Sequence, residues 1–128
     1  MSPSEIEQKF LVEFNPISDL FIIHNLSIEQ AEKSKDSFIH HPGVYVFMKG
    51  DEVIKIGRSL ENSRKRALEH IRDNTQVADF MMRELPNYPD SRLLLFNLKE
   101  IKNSHWAAAL EIYFEEKLDP KIKSKRKA

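Results

Sequence analysis

The sequence predicts an α/β (α+β) domain, with a small three-stranded mixed sheet flanked by helices, a β-β-α-β-α core and an N-terminal helical extension. Three observations carry that expectation. Residues 43–57, GVYVFMKGDEVIKIG, are two β-type runs around a Gly-Asp turn. Residues 92–99, RLLLFNLK, are a near-continuous apolar run, the pattern of a strand covered on both faces. Residues 62–73 and 104–118 carry apolar residues at helical spacing and follow those strands in turn.

The elements follow in order. Over residues 3–14, Ile6, Phe10, Leu11 and Phe14 recur at helical spacing. NPISDLFIIHNLS, residues 15–27, is ambiguous: LFIIH reads equally as a short strand or as the end of a helix. Ser27 caps a second helix over 28–37, with Glu29 and Gln30 in its first turn. HHPG breaks the chain before strands at 43–48 and 53–57. NSRKRALEHIRD is a helix, NTQVADFMMREL a loop with a short helical piece, and LPNYPD a turn-rich break. In the last helix Ser104 is the N-cap, and Trp106, Leu110, Tyr113, Phe114 and Leu118 make the apolar stripe, read as core rather than as a base-stacking platform. Pro120 ends it. The domain reading is a helical extension over 1–41, a compact unit over 42–120 and a basic tail over 121–128.

At 128 residues the chain buries a core without metal or disulfide staples. It has no cysteine, which excludes disulfides, thiolate zinc sites and cysteine nucleophiles. That fits a reducing compartment, and a cytoplasmic location is expected. No apolar run approaches the roughly 20 residues of a membrane span, and MSPSEIEQKF lacks the pattern of a secretory signal. His24, His40, His41 and His105 show no metal-ligand spacing and read as loop or surface residues. Three glycines leave no glycine-rich phosphate loop.

Net charge is zero, but it is unevenly spread. Residues 1–41 hold seven acids and three bases, so the remainder holds 13 acids and 17 bases. Five bases and no acid occupy KIKSKRKA, and Lys55 to Arg72 holds six bases against two acids. Such a local excess attracts a polyanion even in a neutral chain, although a solvated helix face and a basic tail share this composition.

The hairpin poses a choice of register. With a two-residue Gly50-Asp51 loop, Tyr45 shares a face with Phe47, Ile54 and Ile56, and Lys55 points among Val44, Val46 and Met48. Burying an ammonium there without a partner is costly. A three-residue loop over 50–52 shifts the pairing by one. It collects Val44, Val46, Met48, Ile54 and Ile56 on one face and Tyr45, Phe47, Val53, Lys55 and Gly57 on the other. The second register is the expectation. It places a phenol beside an ammonium, and a nearby positive charge favours the phenolate. Most strand tyrosines and lysines are simply half-buried or solvent-facing.

Arg58, Arg64, Lys65, Arg66 and Arg72 crowd the junction that follows, where guanidinium forks suit phosphate. Arg66 and His70, four apart, share a helix face. Glu111 sits at the border of an apolar stripe, odd for a solvated acid; it reads as a metal ligand or as the partner of an arginine.

These residues resemble the GIY-YIG nucleases. The two tripeptides of that family correspond to Gly43-Val44-Tyr45 and Lys55-Ile56-Gly57, with ten residues from Tyr45 to Lys55. The family's helix arginine, often with a histidine four later, corresponds to Arg66 and His70 in RKRALEH. Its glutamate, nine residues before a proline, corresponds to Glu111 and Pro120 in LEIYFEEKLDP. The resemblance spans about 43–120 and rests on the ordered combination, since no single piece is specific. Lys55 stands where the usual member has tyrosine, as in some restriction-type members, and Lys123 stands where an asparagine is common. One extra residue precedes the arginine, which leaves Arg64 as a competitor to Arg66; the histidine four later favours Arg66.

The resemblance implies an endonuclease that hydrolyses phosphodiester bonds in nucleic acid, with DNA expected, using one Mg²⁺ or Mn²⁺. It implies Glu111 as metal ligand, Tyr45 as general base assisted by Lys55, Arg66 on the scissile phosphate and His70 as a positioning group. Arg58, Arg64, Lys121 and Lys123 would hold flanking phosphates. The alternatives are a catalytically silent nucleic-acid-binding module on the same fold, or an interaction domain with residues 1–41 as the contact surface for a protein partner.

Overall fold

A computed structural model describes residues 1–77 and 79–124. Helix α1 (Pro3–Glu13) is closed at its start by a capping box between Ser2 and Glu5. A 3-10 turn over Asn15–Leu20 leads into strand β1 (Phe21–Leu26), and a Ser27–Gln30 capping box opens a short helix α2 (Ile28–Lys33). Strands β2 (Gly43–Lys49) and β3 (Glu52–Ser59) form the hairpin. Helix α3 (Ser63–Arg72) follows, capped by the Asn62 side chain. A two-residue pair, β4 (Gln76–Val77) with β5 (Phe80–Met81), and a 3-10 turn over Met82–Asn87 precede strand β6 (Ser91–Leu98). Helix α4 (His105–Leu118) ends at Asp119, whose left-handed backbone (φ 48°) turns the chain back.

The class is α+β, as expected, but the sheet has four strands rather than three and is antiparallel rather than mixed. Its order is β1-β6-β2-β3. The ambiguous segment supplies β1, which pairs along β6 from Phe21 opposite Leu98 to Leu26 opposite Leu93. β6 runs between β1 and β2, antiparallel to both, so each of its amides faces a neighbour. Helix α2 stops at Lys33, four residues short of the expectation, because Ser34 is already extended. Ser104 occupies the N-cap position of α4, yet its side chain makes no capping bond.

Both faces of the sheet are covered, which is why 92–99 is so apolar. One face carries Val44, Val46, Met48, Ile56, Leu94 and Phe96 against Ile6 and Phe10 of α1 and Ala107, Leu110 and Phe114 of α4. Phe10 meets Phe21 edge-on at 5.1 Å and Phe96 at 5.3 Å between ring centres. Burial of each such ring contributes roughly 1.5–3 kcal/mol. The first 26 residues are thus built into the sheet and its core; of the large apolar residues of α1, Leu11 and Val12 remain exposed. The other face carries Tyr45, Phe47, Leu93 and Leu95 against Ala67 of α3 and the 3-10 residues Met82 and Leu85. Among the described residues no helix is long and apolar enough to cross a membrane.

The hairpin corrects the expected route to its register. Lys49 pairs with Glu52, so the loop is the two-residue Gly50-Asp51, and Gly50 takes φ 58°. The pairing shifts between Phe47 and Met48, where Val53 opposes Met48, Lys55 opposes Phe47 and Ile54 is the extra residue of a β-bulge. Beyond the bulge the faces separate as expected, with Tyr45, Phe47, Lys55 and Gly57 on one side. Before it they are exchanged: Val53 joins the Val44 face and Ile54 the Tyr45 face.

Candidate functional site

A pocket of about 550 Å³ opens at the outer edge of β3. Tyr45 opposes Gly57, and Lys55 opposes Phe47, so phenol and ammonium are diagonal neighbours on the α3 side of the sheet. Tyr45 is 2% exposed and Lys55 8%. Gly57 has no side chain, and the Tyr45 ring fills the space where a β-carbon would stand. The phenol therefore reaches across the β3 backbone to the strand edge.

Helix α3 brings His70 onto that phenol. Its Nε2 lies 2.7 Å from Tyr45 Oη, and its Nδ1 lies 2.7 Å from Thr75 Oγ1, just past the helix. Burial, with the positive charges of Lys55 and Arg66, pushes the imidazole down to about 4, so it is neutral at pH 7. The helix start is pinned from behind. Ser63 Oγ donates to Asn97 Oδ1 at 2.5 Å, and Asn97 Nδ2 donates to the Phe38 carbonyl at 2.9 Å.

The carboxylate comes from the opposite side of the sheet. Glu111 sits in the buried stripe of α4 with only 3% of its side chain exposed. Arg58, which opposes Val44 on β3, donates from Nη1 to Glu111 Oε1 at 3.1 Å. Two faces that a sheet normally separates meet at this edge. Tyr45, Lys55, Arg58, Arg66, His70 and Glu111 all line the one pocket.

The expected residues are not all brought together. Arg66, half-exposed and 3.3 Å from Glu69, lines the pocket. Arg64 does not: its guanidinium donates to the Ser34 carbonyl at 2.8 Å and lies 3.1 Å from His40 Nδ1. Geometry thus separates the two competing arginines, and Arg64 ties α3 to the segment after α2. Of the tail, Lys123 lines the pocket and pairs with Asp119, while Lys121 is held by Asp79 at 3.0 Å. Residues 125–128 of the basic tail lie outside the described residues.

Sequence reasoning missed Thr75, Gln76 and Ser124, which line the pocket, and Glu115, whose Oε1 is buried. Glu115 had a signal, being one turn beyond Glu111 on the same helix. Thr75 had none before the loop geometry was known. Charge around the cavity is dominated by Lys55, Arg58, Arg66 and Lys123 against Glu111, a field suited to an anion. The chain matches no protein-family model, no curated protein and no solved structure.

Proposed function

We propose that the protein is a metal-dependent endonuclease that hydrolyses phosphodiester bonds, with DNA as substrate. The observation that carries this reading is the Tyr45–His70 hydrogen bond, set in one pocket with Lys55, Arg66 and Glu111. A neutral imidazole donates from one nitrogen and accepts at the other. With Nδ1–H directed to Thr75, Nε2 accepts a hydrogen bond from the Tyr45 hydroxyl, which leaves the oxygen lone pairs facing water. Lys55, a diagonal neighbour on the same face, favours negative charge on that oxygen. Arg66 meets charge developing on the phosphate. Arg58 and Lys123 hold flanking phosphates, a sequence-blind and salt-sensitive contribution.

The donor set fits one hard divalent cation, Mg²⁺ or Mn²⁺. Among the described residues no three of His, Asp and Glu cluster into a protein-built cage, and such ions are commonly held by one or two carboxylates with water and substrate oxygens. Glu111 would hold it, and the ion would there offset the negative charge that develops on the leaving 3′ oxygen.

The Arg58–Glu111 ion pair favours a second reading, a catalytically silent nucleic-acid-binding or protein-interaction module on the same fold. In that reading the carboxylate is a structural partner of arginine. A protein partner of residues 1–41 would meet the exposed Leu11 and Val12 of α1. Incubation with supercoiled plasmid and Mg²⁺ or Mn²⁺ separates the readings. Nicking by the wild type, lost in Glu111→Ala and Tyr45→Phe, is expected; an intact plasmid with salt-dependent binding supports the silent module.

A further inference from the structure

Two short segments wall the pocket at the border of β3. On one side the chain after Pro120 lies along that strand: the Lys121 amide donates to the Val53 carbonyl at 3.0 Å and the Ile122 amide to the Ile54 carbonyl at 2.7 Å. Ile122, Lys123 and Ser124 line the pocket there. The other wall includes Thr75 and Gln76, just past α3.

Thr75 is held by the way α3 ends. Asn74 takes a left-handed backbone (φ 53°), which asparagine tolerates better than most residues. The Asn74 amide then donates to the Ile71 carbonyl at 3.2 Å and the Thr75 amide to the His70 carbonyl at 3.0 Å, the paired bonds of a Schellman cap. The turn is fastened from its far side as well. The Met82 amide donates to the Thr75 carbonyl at 2.9 Å, and the Arg83 amide donates to Asn74 Oδ1 at 3.1 Å. Thr75 is thus tied to the backbone of His70, and its hydroxyl lies 2.7 Å from Nδ1 of that same residue.

The direction of this last contact follows from a competition. A neutral imidazole has one N–H and one accepting nitrogen. Two hydroxyls flank the ring, Tyr45 Oη at Nε2 and Thr75 Oγ1 at Nδ1, each at 2.7 Å. Only one of them can donate to it. A phenol is a far stronger acid than an alkyl alcohol, and so the stronger donor. Tyr45 therefore takes the accepting nitrogen, and Nδ1–H donates to Thr75. Were the ring proton on Nε2, the phenol would accept from the imidazole and spend on it a lone pair that otherwise faces water.

We propose that Thr75 is a positioning residue: as the acceptor for Nδ1–H it fixes the tautomer of His70, and with it the direction of the Tyr45–His70 hydrogen bond. The catalytic meaning of this role rests on the nuclease reading, but the tautomer itself is testable without cleavage. A residue that served only to close α3 would change stability and leave the ring proton where it was.

The test uses the full chain. The tautomer of His70 is read at neutral pH from the nitrogen NMR shifts of its ring in the wild type, in Thr75→Val, which keeps the side-chain shape without the hydroxyl, and in Thr75→Ser, which keeps the hydroxyl. The wild type is expected to carry the proton on Nδ1. Thr75→Val is expected to shift the tautomer ratio toward Nε2–H by about fivefold, the worth of one hydrogen bond, and Thr75→Ser to restore it. A wild-type ring protonated on Nε2 overturns the proposal, as does an unchanged ratio in Thr75→Val. A Thr75→Ser protein that behaves like Thr75→Val also overturns it, since the β-branch and not the hydroxyl would then be responsible. If Thr75→Val does not fold, Thr75→Ala removes the same acceptor. On the nuclease reading, Thr75→Val lowers kcat about tenfold with KM little changed, and Thr75→Ser recovers it. A plasmid left uncut by every form, the wild type included, counts against the nuclease reading and leaves the tautomer measurements to decide the role of Thr75.

Discussion

The hydroxyl of Tyr45 lies over the backbone of Gly57, where a β-carbon would fall on the phenol. Neither partner can give way cheaply, because the ring is 2% exposed and the strand is paired on its inner side. Gly57→Ala is therefore expected to cost about 1–3 kcal/mol in urea denaturation. It should also break the 2.7 Å contact between Tyr45 and His70, seen as a changed imidazole NMR signal. A variant of wild-type stability with that signal intact would show that the strand yields without moving the phenol.

Acid should weaken the fold through His70. Its folded value is about 4, against the ordinary 6.5 of an exposed imidazole. Between those values the unfolded chain holds a proton that the folded chain lacks, so stability falls as pH drops from 6.5 toward 4. Allowing for partial exposure, the loss is of order 1–2 kcal/mol. Thermal melts of wild type and His70→Gln across that range check it. The difference in stability between the two should shrink with acid, and a constant difference would deny His70 the depressed value.

Arg58 and Glu111 should be strongly coupled. The pair is 3.1 Å apart with the carboxylate almost wholly buried. A double-mutant cycle with Arg58→Met and Glu111→Gln is expected to give an interaction energy of about 1–3 kcal/mol. If Glu111 also holds the proposed ion, Arg58→Met should bind Mn²⁺ more tightly, because one competing cation is gone. Unchanged affinity in calorimetry would separate Glu111 from metal binding.

Nucleic-acid affinity should depend on some of the arginines and lysines and not on others. Arg66→Ala and Lys123→Ala, which remove pocket cations, should each lower the slope of log K against log salt by about one unit. Arg64→Ala should leave the slope unchanged, since its guanidinium is engaged by the Ser34 and Ala31 carbonyls, and should cost about 1 kcal/mol of stability instead. The same slope change for Arg64 would place it on the substrate after all.

Asn97 holds the back of the site. Its side chain links Ser63, at the start of α3, to the Phe38 carbonyl, and it has no solvent exposure. Asn97→Ala strands those polar groups in the core and is expected to cost about 2–4 kcal/mol. The Tyr45–His70 contact should loosen with it, since α3 carries His70. Denaturant melts with the imidazole signal as a second probe test both.

Much of this site was legible in the sequence because it depends on local periodicity. Tyr45, Lys55 and Gly57 share a face by the alternation of a strand, and Arg66 and His70 share one by the period of a helix. That alternation survived a wrong account of the turn, because the bulge at Ile54 restores the same parity that a three-residue loop gives. Val53 and Ile54, which lie before the parity is restored, stand on the faces opposite to those expected. What stayed hidden depends on tertiary placement. LFIIH became a strand because β6 offers it an unpaired edge, a fact that no window of sequence contains. Arg64 was withdrawn from the pocket by carbonyls after α2, which lie 30 residues earlier in the chain. Glu115 gained its surroundings only when the chain doubled back past Pro120.

The hydrogen bonds from Lys121 and Ile122 to β3 also bear on solution behaviour. A bare strand border recruits strands from other molecules. Here the chain's own continuation occupies part of that border, beside the lysine of the cavity. Shortening the protein by eight residues would therefore do more than remove charge. It would uncover the Val53 and Ile54 carbonyls on the outer strand, and the trimmed protein would tend to self-associate through that border, a change that light scattering would register.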